Sequence, residues 1–193
     1  MPLNIYIISH PIISILSTQI ISSLETNNKI NEPIYSEINF LLIYELLRKW
    51  IKVKNIYIKN INKVKEISIF NPRESYILFT NIEKYYNIIN HLKILMPKLS
   101  LRHINIDKNN NDYTKIYFNS KHRKHPQNNK IIIVQKILNN NAVIHFVNQL
   151  INEYKIHINS IKIICIACNK KVLEEINTKY SNLEIYTTKI INT

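Results

Sequence analysis

The chain has 193 residues, a formal net charge of +13 and no glycine. Walker loops, the glycine-rich dinucleotide turn and the nucleophile elbow all need glycine in their standard form, so the composition excludes them. An apolar fraction of 46% is typical of a folded chain, and a single domain of this length can bury a full core.

The positive charge has two interpretations. Ile, Asn and Lys supply about half of the chain, and all three have A/T-rich codons, so a biased genome explains the lysines as well as polyanion binding does. Two cysteines make no disulfide framework and indicate a reducing compartment. No apolar run reaches the roughly 18 residues of a membrane span, and no leader is recognisable at the start. We therefore expect no membrane contact and no targeting segment.

Hydrophobic spacing in the first half predicts two helices and a small strand pair. Pro33 lies where the first turn of a helix tolerates proline, and Asn71-Pro72 ends the last of these strands. In chain order the predicted elements are a helix over about 11–25, a helix over about 33–50, and edge strands at 56–58 and 67–69.

The second half alternates between short apolar runs and amphipathic stretches. Its predicted elements are strand 76–79, helix 82–95, strand 101–106, strand 131–135, helix 141–154, strand 161–167, helix 170–179 and strand 183–187. Continuous apolar strands separated by helices are typical of a parallel sheet that is covered on both faces. The sequence therefore predicts an α/β fold with N-terminal helices and a small β arm, in one domain over 1–193.

A polar stretch of 24 residues, 107–130, is much longer than an ordinary connection and predicts a flexible arm. It contains the densest basic run, Lys121-His122-Arg123-Lys124-His125. This run would suit the phosphates of a nucleotide or an RNA, yet aromatic residues at the spacing of RNA-binding motifs do not accompany it. A solvated loop tip is the alternative. The two histidines lack nearby cysteine or carboxylate ligands, so we expect no metal site there.

The best candidate for a ligand site is the turn between strand 131–135 and the next helix. Parallel sheets bind ligands at the carboxyl ends of their strands, where helix N-termini offer N–H groups to anions. Three residues of this turn are Asn139, Asn140 and Asn141. Asparagine accepts the left-handed region and caps helices, so an anion nest remains available without glycine. A plain capped loop is the alternative.

Cys165 and Cys168 form a Cys-x-x-Cys pair of the kind found in redox and zinc sites. Because a strand places residues three apart on opposite faces, we expect the two thiols to point away from each other until the strand ends. The pair is therefore predicted to be structural.

Several strings, taken in order, resemble the uracil phosphoribosyltransferase family, which has the type I phosphoribosyltransferase fold. His10-Pro11-Ile12 resembles the opening His-Pro-Leu of the family, Leu42-Ile43-Tyr44-Glu45 resembles its Leu-Thr-Tyr-Glu helix, and Leu183 to Thr187 resembles the strand before its uracil loop. The resemblance covers about residues 5–190. It implies the phosphoribosyltransferase-like arrangement of a parallel sheet between helices.

The family loop that holds phosphoribosyl pyrophosphate (PRPP) begins with Asp and ends in Thr-Gly-Gly. By resemblance these places fall on Gln135 and on Asn140-Asn141-Ala142, so Gln135, Asn139, Asn140, Asn141, Ala142 and Val143 are the expected vestigial phosphoribosyl-binding residues. Glutamine adds no charge to the ribose clamp. The resemblance therefore implies a weakened PRPP loop.

The pyrophosphate turn of the family, Pro-Ile-Leu-Arg-Ala-Gly, falls on residues 80–85, so that its Arg becomes Glu83 with Lys84 beside it. The later Tyr-Arg pair falls on Asp107-Lys108, which keeps one cation without the bidentate fork. The vestigial pyrophosphate-binding residues are thus Glu83, Lys84 and Lys108. We also expect the glycine-rich C-terminal segment that binds uracil in the family to be absent.

The resemblance implies a pentosyltransferase scaffold of pyrimidine salvage, in which uracil and PRPP give UMP and pyrophosphate, with weak or lost catalysis. It implies PRPP or another phosphate as ligand, with Mg²⁺ as cofactor for any remaining activity, and a homo-oligomer. The alternative is a basic RNA- or partner-binding protein on the same fold. With the codon bias, the resemblance implies an organelle-encoded protein of the plastid stroma, or else of the cytoplasm of a reduced bacterium.

Overall fold

The computed structural model describes residues 3–25, 32–96, 98–104 and 129–192, except for the side chains of 24, 25, 32 and 83–87. The strands are β1 (Asn4–Ile7), β2 (Val53–Lys59), β3 (Val64–Phe70), β4 (Ser75–Thr80), β5 (Leu99–His103), β6 (Asn129–Leu138), β7 (Ile161–Asn169), β8 (Glu184–Thr187) and β9 (Lys189–Ile191). The helices are α1 (Pro11–Glu25), α2 (Glu32–Trp50), α3 (Ile82–Leu95), α4 (Ala142–Asn152) and α5 (Lys170–Lys179), and a 3₁₀ turn spans Ile158–Ser160.

A parallel sheet forms the centre of the protein. Its strand order is β1-β8-β7-β6-β4-β5, and β9 continues alongside β7 beyond the end of β8. The pairs between neighbouring strands of this sheet are all parallel. As a consequence, the carboxyl ends of its strands meet at one edge, from which the chain passes into helices.

Helices bury both faces of the sheet. Since successive side chains of a strand point to opposite faces, each central strand contributes to two cores. Ile131, Ile133, Ile163 and Phe79 pack on one face with the apolar side of α4 and with α5. Ile132, Val134, Ile164 and Leu78 pack on the other face with α1, α2 and α3. The result is a sheet between two helical layers, which is why its strands appear in the sequence as uninterrupted apolar runs.

The predicted fold class is confirmed, and so is each predicted helix and strand outside 105–128 to within a few residues. Four details of the prediction were wrong. The strand pair is a separate antiparallel hairpin rather than an edge of the main sheet, β6 extends over 129–138 rather than 131–135, and neither β1 nor β9 was foreseen. Residues 107–128 of the predicted arm lie outside the described residues.

The opposite, amino edge of the sheet carries a cluster of aromatic and charged side chains around Trp50. Lys130 Nζ lies 5.3 Å from the centroid of the Trp50 ring and donates to Glu74 Oε2 at 2.8 Å. Tyr76, edge-on to the same ring, donates its hydroxyl proton to Glu74 Oε2 at 2.7 Å. These groups fasten the end of α2 to the start of β4 and β6.

Glu74 makes stability depend on pH. Burial alone would raise the pKa of its carboxyl group, but the hydrogen bonds from Lys130 and Tyr76 and the charge of Lys130 hold this pKa below its usual value. A lowered folded-state pKa stabilises the protein above the unfolded pKa, about 4.3, and this stabilisation is lost as the pH falls through the folded value. We expect the difference in unfolding free energy between the parent and Glu74→Gln to shrink on acidification.

Urea unfolding of both proteins at pH values from about 7 down to about 3 measures that difference, because the unfolded carboxyl titrates inside this window. A difference that stays constant across the range would show that the Glu74 carboxylate is not held by its neighbours. Glu66→Gln on the exposed hairpin is the matched control, since it removes the same charge from a solvent-facing site.

Candidate functional site

Two strand-to-helix junctions lie side by side at the carboxyl edge of the sheet. β4 leads into α3 and β6 leads into α4, and the two strands are hydrogen-bonded neighbours, with Phe79 opposite Ile133. The two junctions are offset along the strands, because β4 ends at Thr80 whereas β6 continues to Leu138, and the helices that follow pack on opposite faces of the sheet. Each helix start leaves backbone N–H groups without intrahelical partners, and these favour a negatively charged ligand.

The junction after β6 is a three-asparagine turn. The side-chain Oδ1 of Asn140 accepts a hydrogen bond from the backbone N–H of Ala142 at 3.3 Å, and the carbonyl of Asn141 accepts from the N–H of His145 at 3.1 Å. Asn139 and Asn141 are exposed and Asn140 is half-buried. The N–H of Ala142, the first residue of α4, is thus capped from within the turn.

The left-handed nest considered from the sequence is not formed. Asn141 has φ −78° and ψ −3°, which is ordinary right-handed geometry, and its side chain caps nothing. Lys155, with φ 55°, is the one residue at positive φ among the ranges that the structure describes.

The other predicted residues of the PRPP loop divide between the strand and the core. Gln135 lies inside β6, 7% exposed and opposite Cys165, rather than in the turn. Val143 lies on the buried side of α4, where it cannot contact a ligand. Ala142 is half-buried at the start of the same helix. The structure therefore gathers Asn139, Asn140, Asn141 and Ala142 at the turn and places Gln135 below it.

The junction after β4 holds two buried polar oxygen atoms. Thr80 is 1% exposed and Asn81 is 8% exposed, and within the part of the chain that the structure describes neither Thr80 Oγ1 nor Asn81 Oδ1 has a hydrogen-bond partner. Asn81 occupies the N-cap position of α3 without a side-chain cap. An unsatisfied buried polar atom costs about 1 to 3 kcal/mol, so two of them at the start of one helix call for an explanation.

His103 was not found from the sequence. It lies at the end of β5, and its Nδ1 accepts a hydrogen bond from the backbone N–H of Ile82 at 3.2 Å. The partner is 21 residues away along the chain, so only the pairing of β4 with β5 brings the two together. His103 thus caps the first turn of α3 in place of Asn81.

The structure describes only the backbone of two of the predicted pyrophosphate-binding residues. Glu83 and Lys84 fall in the first turn of α3, but their side chains are outside the description. Lys108 and the basic run 121–125 lie outside the described residues.

The expected orientation of the two thiols was wrong. Cys165 and Cys168 both lie in the core between the sheet and α4, and their side chains are hydrogen-bonded to each other. Both thiols thus contribute to the same core cluster. The hydrogen bond with Cys168, together with burial, raises the pKa of the Cys165 thiol, whereas the hydrogen bond with Cys165 lowers the pKa of the Cys168 thiol. Cys165 is therefore held in its protonated form.

The described residues contain neither a candidate metal site nor a helix that could span a membrane. Among these residues, three or more His, Cys, Asp or Glu side chains nowhere come together in a group that could hold a metal ion. In the same ranges, the helices are all too short or too polar to cross a bilayer.

The covered parallel sheet and its paired strand-to-helix junctions define an α/β protein with a type I phosphoribosyltransferase-like fold. A solved structure, that of the AQ2163 protein from Aquifex aeolicus, superposes with a TM-score of 0.68 over 97% of this chain and 88% of that one, at 15% identity. The family model for uracil phosphoribosyltransferase matches residues 7–192. The chain belongs to the uracil phosphoribosyltransferase family.

Curated relatives are distant in sequence. A uracil phosphoribosyltransferase homolog of Porphyra purpurea is 26% identical over 193 residues, which cover 98% of this chain and 89% of that protein. A uracil phosphoribosyltransferase of Arabidopsis thaliana, described as chloroplastic, is 21% identical over 152 residues, or 78% of this chain and 51% of that protein. The family prediction made from the residues is confirmed.

Proposed function

We propose that this chain binds PRPP across the two junctions and catalyses the family reaction, uracil with PRPP to UMP and pyrophosphate, weakly or not at all. The observation that carries the proposal is the pair of buried atoms without partners, Thr80 Oγ1 and Asn81 Oδ1, at the start of α3. A ligand with hydroxyl and phosphate groups would satisfy both atoms, whereas an empty scaffold would leave their cost uncompensated.

Two helix starts on one edge suit a ligand with phosphates at both ends. α3 begins at Ile82 and α4 begins at Ala142, and their strands are direct neighbours. PRPP carries a pyrophosphate on C1′ and a phosphate on C5′, so one helix start can receive each group. The backbone N–H groups of the two helix starts supply positive potential there.

Weak catalysis follows from the substituted turn. The family step develops positive charge at C1′, and an acidic residue at the place of Gln135 would stabilise it, whereas a neutral amide stabilises it less. Asn140, Asn141 and Ala142 also carry Cβ atoms where the family has Thr-Gly-Gly, which keeps the backbone further from a phosphate. Removing one transition-state donor costs about 3 to 4 kcal/mol in other enzymes, so several such losses leave little turnover.

Mg²⁺ fits these residues poorly. The described side chains of the two junctions offer hydroxyl and amide oxygens and no carboxylate. Protein sites for Mg²⁺ use one or two carboxylates together with substrate phosphates. The described residues would therefore leave the ion to the phosphates of PRPP.

UMP formation from uracil and PRPP tests the catalytic half of the proposal. We expect turnover far below 1 per second, which is the lower end of typical enzymes, while PRPP still binds. Turnover at or above about 1 per second would contradict the loss of catalysis. Absence of both turnover and binding would contradict the proposal as a whole.

Thr80→Val is the sharpest variant for the binding half. It removes the hydroxyl that has no partner and keeps the shape of the side chain, so we expect an unchanged or slightly higher free energy of unfolding and weaker PRPP binding. Thr178→Val, at an exposed position on α5, is the matched control. Equal PRPP affinity in the parent and in Thr80→Val would show that this hydroxyl does not meet the ligand.

We also propose that the protein acts in a plastid. The chloroplastic relative from Arabidopsis supports this placement, and so does the A/T-rich codon signature of the composition. Immunogold labelling in the source cell tests it, and label outside plastids would contradict it.

A further inference from the structure

A cleft of about 480 Å³ opens at the edge strand β1. The segment from Ile5 to His10, the last two turns of α2 and Tyr186 line it. Small-molecule sites occupy roughly 300 to 1,000 Å³, so the cleft is large enough for a metabolite. Three strand spacings, roughly 14 Å, separate β1 from β6, which places this cleft apart from the two junctions.

Cations outnumber anions in the lining of the cleft. Arg48 and Lys49 come from the last turn of α2 and face one carboxylate, that of Glu45. Arg48 Nη2 lies 2.9 Å from Glu45 Oε2, a contact that uses one of the five donors of the guanidinium. One carboxylate cannot neutralise both cations, so the cleft favours an anion.

His10 adds a donor to the same wall. Its Nδ1 accepts a hydrogen bond from the backbone N–H of Ile12 at 3.3 Å, at the start of α1. A neutral imidazole whose Nδ1 accepts carries its proton on Nε2, so that nitrogen is a donor in either charge state.

Lys49 lies over a pair of stacked tyrosine rings. Its Nζ lies 5.3 Å from the centroid of the Tyr6 ring, and Tyr6 stacks on Tyr186 with centroids 4.7 Å apart. The Tyr186 hydroxyl donates in turn to Glu184 Oε2 at 3.1 Å. An ammonium group placed in this way loses less conformational entropy when it binds an anion.

The dipole of α2 explains why cations occur in its last turn, but it does not explain why a cleft lies beside them. We propose that the cleft binds a phosphate monoester of a small metabolite, with Arg48 and Lys49 holding the phosphate and the exposed side chain of Ile7 beside the organic part. Two cations match a dianion, and the guanidinium fork matches the geometry of phosphate oxygens.

Amide NMR titrations with inorganic phosphate and with ribose 5-phosphate, at fixed ionic strength, test the site. We expect saturable shifts at the amides of residues 6–9, with tighter binding of the ester. The Arg48→Ala/Lys49→Ala variant should bind about tenfold more weakly, as expected for the loss of charge-assisted contacts. The Lys54→Ala/Lys63→Ala variant, which removes the same charge from the exposed hairpin, should keep the parent affinity.

Other outcomes overturn the assignment. Equal phosphate affinity of the two double variants would show that only net charge, and not this cleft, determines binding. Equal affinity for inorganic phosphate and ribose 5-phosphate would show that the cleft does not recognise the organic part of an ester. Shifts confined to residues 82 and 142 would place the phosphate at the junctions instead. Thr80→Val separates this cleft from the PRPP proposal, because it should leave the shifts at residues 6–9 unchanged.

Discussion

Replacement of Phe146 by alanine is expected to lower the free energy of unfolding by about 3 to 5 kcal/mol. Phe146 is fully buried in α4, and its ring meets that of Phe79 edge to face with centroids 5.1 Å apart. The substitution leaves a cavity at the contact between α4 and the sheet, which includes the strand that positions Thr80. Urea unfolding with linear extrapolation measures the loss.

Ile61→Ala is the control for this substitution, since Ile61 is fully exposed between β2 and β3. Surface substitutions of this kind change stability by about 0.5 kcal/mol or less. A loss below about 1 kcal/mol for Phe146→Ala would contradict the packing of α4 on the sheet, because a buried phenylalanine cannot be truncated at so small a cost.

Lys162→Met should produce the second large effect. Lys162 is 6% exposed in β7, where its ammonium contacts Glu184 Oε2 and lies 4.8 Å from the centroid of the Trp50 ring. Removing one partner of a buried pair costs about 3 to 5 kcal/mol. The Glu184 side chain keeps 26% exposure, so we expect a smaller loss of about 2 to 3 kcal/mol, measured by urea unfolding.

The double variant Lys162→Met/Glu184→Gln separates the pair from the packing. It removes both charges, and buried pairs replaced by neutral groups often lose little stability, so we expect it to recover most of the loss. A double variant as unstable as Lys162→Met alone would show that the uncompensated charge of Glu184 is not the cause of the loss, which would leave the contact of the ammonium group with the Trp50 ring as its source.

Much of the fold could be predicted because burial leaves a direct trace in the sequence. The strands β4, β6 and β7 are buried on both faces, so their residues form continuous apolar runs that the pattern predicts. The hairpin of β2 and β3 alternates at exposed positions and predicts a pair, but nothing in it indicates separation from the main sheet. β9 escaped notice because its three residues are shorter than a readable pattern.

The candidate site was less predictable because distant residues make it. The capping of Ile82 by His103 depends on the register between β4 and β5, which no local pattern encodes. The shared burial of Cys165 and Cys168 departs from simple strand alternation, and no local pattern indicates it. Ordered resemblance placed Thr80 and Asn81 in the pyrophosphate turn, but only the structure shows that both are buried without partners.

The central claim, that the two junctions still bind PRPP, is tested most directly by thermal and urea unfolding of the full chain with and without PRPP and Mg²⁺. At a ligand concentration 100 times the dissociation constant, stabilisation should be about 2.7 kcal/mol, and Thr80→Val should need more ligand to reach it. No stabilisation at any concentration up to millimolar, in the parent and in the variant alike, would contradict the claim.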